Sequence, residues 1–159
     1  MKKILAVVSL AMIMMASGCG GTASDTSGVD NSSSAITKPI EEQVLWDSDN
    51  VKVSFIEVFE YDYLPGYCYL KLRVENKSNK TITVLTKDAY ANDTSITLGS
   101  GTPMELLPNK QSQTPFFFAY TNIGLKSIDE IETIEFKLWC VDDDFETVEE
   151  TETLSVNLY

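Results

Sequence analysis

The chain is predicted to fold as an all-β antiparallel sandwich, and three observations carry that expectation. Apolar residues recur at period two through run after run. Turn-forming residues separate those runs at the short spacing of a sandwich. No window of helical period lasts longer than about three turns. The stretch from Val44 to Leu158 is long enough for one core, which predicts a single domain over residues 41–159.

Ahead of that domain, Lys2 and Lys3 form a positive n-region, Ile4 to Met15 an apolar run, and Ala16-Ser17-Gly18 the small residues before a cleavage site. Residues 1–18 therefore read as a signal peptide. Cys19 follows directly, and Ala16-Ser17-Gly18-Cys19 resembles the lipobox of bacterial lipoproteins, with Ala16 where a leucine is usual. The resemblance implies a diacylated Cys19 at the mature N-terminus and a location at the outer face of the bacterial cytoplasmic membrane. A permanent membrane span fits less well, because a run of about 15 apolar or small residues falls short of the roughly 20 a bilayer requires. An ordinary secretory signal leaves the position of Cys19 unexplained. Gly20 to Lys38 is dominated by Gly, Ser, Thr, Asp and Asn and cannot bury enough apolar surface to order itself. Residues 19–40 thus read as a lipidated N-terminus and tether. About 19 flexible residues reach about 25 Å, enough to lift the domain off the head groups without fixing its orientation.

Loss of Lys2 and Lys3 from the 12 basic residues leaves 10 against 24 acidic, a net charge of −14. Such a polyanion is repelled by nucleic acid and by anionic head groups. No nucleic-acid partner is expected, and the membrane contact is expected to be the lipid on Cys19 alone.

Within the domain, Val51, Val53, Phe55, Phe59, Tyr61 and Tyr63 form one apolar face broken only by Glu57, and Cys68, Leu70, Leu72 and Val74 form the next. Leu64-Pro65-Gly66-Tyr67 between them has the residues of a type II turn. That turn pairs Tyr63 with Cys68, Tyr61 with Leu70 and Phe59 with Leu72 on the inner face, and Glu60 with Lys71 on the outer. Further strands are expected at Thr81 to Thr86, Ser95 to Leu98, Met104 to Leu107, Thr114 to Tyr120, Glu132 to Val141 and Thr151 to Leu158. Pro108-Asn109-Lys110 is a turn. Ser127-Ile128-Asp129-Glu130 has capping-box spacing and predicts one short helical turn. Asp142 to Asp144 makes the last hairpin tip.

The run Leu72-Arg73-Val74-Glu75-Asn76-Lys77-Ser78-Asn79-Lys80, followed by Thr81-Ile82-Thr83-Val84, resembles the strand, Glu-Asn-x-Ser, strand signature of Ig-like domains in Gram-positive envelope lipoproteins. Ile131 to Val141, with its acidic tip and closing strand, is similar to the C-terminal third of the same domain. The resemblance implies an Ig-like sandwich of about seven to nine strands, outside the cytoplasm, and it carries no catalytic or binding residues with it.

Among groups that do chemistry, the chain has no histidine. That removes the commonest general base, the Ser-His and Cys-His systems and the usual zinc ligand. No phosphate loop or nucleophile elbow is present. Cys68 and Cys140 fall on predicted inward faces, which suits two buried thiols or one disulfide; thiols are favoured, since many envelope proteins of this type lack disulfides. Eleven acids lie between Asp129 and Glu152, with Lys137 the sole base. Of these, Asp142, Asp143, Asp144 and Glu146 offer oxygen ligands to calcium, but they lack the spacing of a calcium loop, and a solvated acidic tip is the ordinary device for keeping an edge soluble. Leu64, Tyr67 and Tyr69 lie at or near the hairpin tip, where tyrosines give recognition area at little entropic cost. Asn76-Lys77-Ser78 and Asn92-Asp93-Thr94 match glycosylation sequons, but Asn76 suits a turn role better.

These readings converge on a lipid-anchored, non-catalytic Ig-like module at the cell surface, one that binds an envelope protein or glycan or serves as an accessory protein of a larger complex, and that needs no cofactor. The alternative is an envelope hydrolase using paired carboxylates, motivated by acid abundance alone. The anchor has a direct check. Cys19→Ala should abolish processing or membrane retention, measured by labelled-palmitate incorporation and the mass of the N-terminal peptide; an unmodified Cys19 would exclude lipidation.

Overall fold

The computed structural model describes residues 35–38 as backbone and residues 42–158 in full. Residues 1–18, Cys19 and most of the expected tether lie outside the described residues. Eleven strands are present: β1 (Ala35–Lys38), β2 (Gln43–Asp47), β3 (Val51–Tyr61), β4 (Leu64–Asn76), β5 (Ile82–Ala91), β6 (Thr94–Ile96), β7 (Met104–Leu106), β8 (Gln111–Ala119), β9 (Thr133–Val141), β10 (Thr147–Glu150) and β11 (Leu154–Asn157). They form two antiparallel sheets. In the first, β3, β4 and β8 lie side by side, with β1 and β2 sharing the free edge of β3; in the second, β6 and β7 pair with β5, β5 with β9, and β9 with β10 and β11. Strand β8 crosses back to pair β4 and β9 crosses to pair β5. These crossovers between the sheets make an Ig-like Greek-key sandwich.

The inner faces supply one core. Val51, Val53, Phe55 and Val58 of β3, Leu70, Leu72 and Val74 of β4 and Phe116 and Phe118 of β8 meet Ile82 and Val84 of β5 and Ile134, Phe136 and Leu138 of β9. The expected strands are all present, and so are the turn at Pro108-Asn109-Lys110 and the short helical turn. Asn109 takes φ 57°. Ser127 caps the 3-10 turn Ile128–Glu130 by accepting from the Asp129 N–H.

The β3–β4 register differs from the sequence expectation. Glu57, not Glu60, lies beside Lys71, and Phe59 pairs with Tyr69, Val58 with Leu70 and Phe55 with Leu72. The cause is a bulge: Ile56 is an extra residue between Phe55 and Glu57, and one extra residue turns every following side chain to the opposite face. Phe59, Tyr61 and Tyr63 therefore leave the core side on which period two had placed them. The tip also moves. Tyr61 pairs with Leu64 across a two-residue turn at Asp62-Tyr63, and Leu64-Pro65-Gly66-Tyr67 is not the turn but part of an irregular stretch of β4. There Gly66 stands at φ 95°, where a side chain would be strained. The other departures are added strands, eleven against the seven to nine expected: β2 and β10 were not foreseen, and Ala35–Lys38, expected as tether, pairs antiparallel with Val58 to Tyr61.

The two ends of the sandwich are built differently. At the end carrying the Asn76–Lys80 loop, Asn76 is wholly buried. Its Nδ2 donates to the carbonyls of Lys80 (2.8 Å), Leu106 (3.0 Å) and Leu107 (3.1 Å), and its Oδ1 accepts from the N–H (3.0 Å) and hydroxyl (2.7 Å) of Ser78. The Glu-Asn-x-Ser run is thus a clamp joining the first sheet to the loop after β7. Asn76→Ala should cost about 2 to 4 kcal/mol, because buried acceptors lose their donor. The near-isosteric Asn76→Asp, which can only accept, should cost at least as much. Denaturant melts check both, and a loss below about 0.5 kcal/mol for either would remove the clamp from the account.

Candidate functional site

The bulge at Ile56 and the irregular start of β4 gather six aromatic rings on the outer face of the first sheet. Phe59 stacks on Tyr69 (centroids 5.3 Å, 17° between planes), Tyr61 meets Phe59 and Tyr69 edge-on (5.0 and 4.8 Å), and Tyr63 stacks on Tyr61 (5.1 Å, 29°). Across β4, Phe117 of β8 packs against Tyr69 (5.6 Å) and Tyr67 (6.3 Å). Exposure is graded through the cluster. Tyr63 is 70% exposed and Leu64 41%, Tyr61, Tyr67 and Phe117 are half-buried, and Tyr69 is 9% exposed. Burial first, and then the neighbouring phenols, push the Tyr69 hydroxyl above its usual range. Of the three residues the sequence singled out, Leu64 and Tyr67 sit at the accessible rim, whereas Tyr69 is a support beneath it. Tyr61, Tyr63 and Phe117 belong to the same surface and were missed: the first two were assigned to the core, and Phe117 comes from a strand that only the fold brings alongside.

Behind the cluster lies a buried carboxylate. Glu60 is on the core side, and its Oε1 accepts from the Gly66 N–H (2.7 Å) and from the Tyr120 hydroxyl (2.8 Å). Burial, with the Glu60 hydrogen bond next, raises the Tyr120 hydroxyl above its usual range, so it stays a donor. Tyr120 opens a 3-10 turn, Tyr120–Ile123, that closes this end of the sandwich. Farther along the same outer face the surface becomes polar. Lys71 bonds Glu57 at 2.8 Å, Arg73 pairs with Glu42, and Lys52 lies opposite Glu75. Among the described residues, the outer face of the second sheet offers no comparable ring surface. Trp139 is covered by the Lys87 ammonium, 4.0 Å from its ring, and its Nε1 donates to the Thr147 hydroxyl at 2.9 Å.

The remaining sequence candidates are not assembled into sites. Asp142, Asp143, Asp144 and Glu146 share a hairpin tip, but among the described residues no three metal-ligating side chains converge. Asp142 instead uses its carboxylate on the turn: Oδ1 accepts from the N–H groups of Asp144 (3.1 Å) and Glu146 (3.0 Å), and Oδ2 accepts from Lys80 (2.6 Å). The hairpin tip thus uses the Asp142 carboxylate structurally and leaves Asp143, Asp144 and Glu146 exposed. Cys68 and Cys140 are both buried but not bonded to each other. Cys140 lies opposite Val84, at the end of the sandwich where β4 finishes, while Cys68 is eight residues from that end of β4, about 26 Å along the strand. Burial pushes the Cys140 thiol up to about 12. The second sequon is also structural, since Asn92 Oδ1 accepts from the N–H groups of Glu132 (2.8 Å) and Thr133 (3.2 Å).

No family model and no curated protein matches the chain. Among solved structures it is similar to the GAE domain of GGA2p from Saccharomyces cerevisiae, at 15% identity over 74% of this chain and 97% of that one, with a TM-score of 0.47. It is also similar to a FixG-related protein from Vibrio parahaemolyticus, at 13% identity over 69% of this chain and 97% of that one, with a TM-score of 0.42.

The Lys80 and Asp142 pair gives a pH prediction. The Lys80 hydrogen bond holds the Asp142 carboxyl below its ordinary range, and Asp142 holds the Lys80 ammonium above its own. A carboxyl depressed in the fold is protonated first in the unfolded chain as pH falls. Its stabilisation is therefore complete above the unfolded value of about 3.9 and is lost below it. Melts of Asp142→Asn against the unaltered protein should differ at neutral pH and converge as pH falls below about 4. A constant difference across that range would show that the pair contributes nothing through ionisation.

Proposed function

We propose that the chain is a lipid-tethered, extracytoplasmic Ig-like module that acts by contact and not by catalysis, with the aromatic face of the β3–β4 hairpin as its contact surface. The observation that carries this reading is the cluster itself: six rings stand on the outside of a sheet whose core is complete without them. Tyr63 and Leu64, with Tyr61 and Tyr67 beside them, are exposed or half-exposed and held from below by Phe59 and Tyr69. Rigid tyrosines supported in this way lose little freedom on binding. Supporting the extracytoplasmic placement are the charged, apolar and small-residue segments before Cys19 and the lipobox resemblance. An envelope protein or glycan is the partner the sequence suggests, and no cofactor is invoked.

Replacing Tyr63 and Tyr67 together by Ser leaves the core and the buried Phe59–Tyr69 stack in place, so the melt should shift by no more than about 1 kcal/mol. Contact should weaken by about 2 kcal/mol or more, as loss of an aromatic hot spot does. Co-sedimentation with an envelope preparation, run beside the melt, checks both; a variant that melts normally and sediments as before would remove this face as the contact surface. Tyr69 is the wrong choice for such a test, because its burial couples binding to stability.

A further inference from the structure

We propose that the aromatic end of the β3–β4 hairpin faces a lipid surface, with Tyr61, Tyr63, Leu64 and Tyr67 seated at the head-group boundary. This rests on the tethered reading above and names the occupant of its contact surface. Strand β1 runs antiparallel to β3 with Ala35 opposite Tyr61 and Lys38 opposite Val58. The N-terminal end of β1 therefore lies at the aromatic end. Fifteen residues separate Cys19 from Ala35, and they span at most about 50 Å when fully drawn out. Strand β4, with 13 residues, is about 43 Å long. Turning the other end of the sandwich toward the membrane would need nearly all of that linker to run back along the domain. Presenting the aromatic end needs almost none.

Charge does not decide the orientation, because both ends carry exposed acids: Asp143, Asp144 and Glu146 at the far end, and Asp93, Asp129, Glu130 and Glu132 where the second sheet begins beside the 3-10 turns. The net charge that argues against a lipid contact is a sum over the whole domain, whereas the rings themselves are neutral. Asp62 is the one acid in the Tyr61–Leu64 turn, and a single carboxylate at the boundary stays hydrated. Tyrosine, with an apolar ring and a hydroxyl that remains wet, is the side chain enriched at that depth. Phe59 and Tyr69, packed beneath, hold the outer rings without themselves needing to move.

The test uses the full chain, purified from membranes and held on vesicles of phosphatidylcholine with a minority of phosphatidylglycerol. Amide hydrogen exchange is compared between the unaltered protein and Tyr63→Ser/Leu64→Ser. Exchange at residues 62–67 should be slower in the unaltered protein by about tenfold or more, with residues 142–146 unchanged as the internal control. The variant should lose that protection with an unchanged melt and should stay on the vesicles. The mass of the N-terminal peptide, read in the same sample, reports the anchor separately. An acylated Cys19 with equal exchange in both proteins overturns the lipid contact and leaves the anchor standing. Protection with an unacylated Cys19 overturns the anchor and leaves the contact standing. A chain that does not float with the vesicles overturns both, and protection of 62–67 by added wall-polymer fragments but not by vesicles overturns the lipid surface in favour of a glycan.

Discussion

A carboxylate removed from water has to have its acceptors met, and the hairpin end of this molecule is arranged around that requirement at Glu60. The bulge at Ile56 turns Glu60 inward, and the same half-turn of the strand turns Phe59 and Tyr61 outward. One inserted residue thus produces both a buried acid and an external aromatic face. The acid then dictates its surroundings. The Gly66 N–H must point at it, which needs a positive φ, and a Cβ at that position would come within 3.3 Å of Thr121. The Tyr120 hydroxyl must reach it too, which ties the 3-10 turn after β8 to the β3–β4 hairpin. Without Glu60 on the core side, neither the irregular opening of β4 nor the seat of the 3-10 turn has a reason to be where it is.

The fold was legible because period-two patterning survives averaging. Strand positions, the Pro108-Asn109-Lys110 turn, the Ser127 cap and the acidic hairpin tip all follow from local residues acting on their own neighbourhoods. The aromatic face was only half legible, for an identifiable reason. Glu57 interrupts the apolar face of β3, and that interruption is the trace of the bulge; treated as an exception to period two, it leaves Phe59, Tyr61 and Tyr63 on the wrong side. Phe117 and Tyr120 could not have been placed beside the hairpin from local pattern, since both arrive through the crossover that brings β8 to β4. Strand β1 was hidden because Ala35–Lys38 is only four residues long at the end of a polar, low-complexity stretch, and its partner lies on the hairpin arm most affected by the bulge.

The two ends of the sandwich show two ways of closing a β-fold. One is closed by an amide: Asn76 has a donor and an acceptor on the same group, so a single side chain can satisfy carbonyls on one loop and an N–H on another. The other is closed by a carboxylate, which only accepts, and which therefore needs donors brought to it from two separate segments. The amide end is finished by an acidic tip whose first member is neutralised by Lys80, leaving the rest to water. The carboxylate end is finished by rings. On the outer face of the first sheet, polarity thus changes along the strands, from rings at the hairpin to the charged pairs of Lys71, Arg73 and Lys52.

The placement of β1 also has a mechanical side. Its four residues are held to β3 by backbone bonds that lie perpendicular to the strands. Tension drawn outward along the strand direction loads those bonds together, in shear. Sideways drag parts them one after another, beginning at Ala35. Strand β1 is accordingly stiff to tension along its length and compliant to tension across it, and peeling it frees four residues, about 14 Å of extended chain.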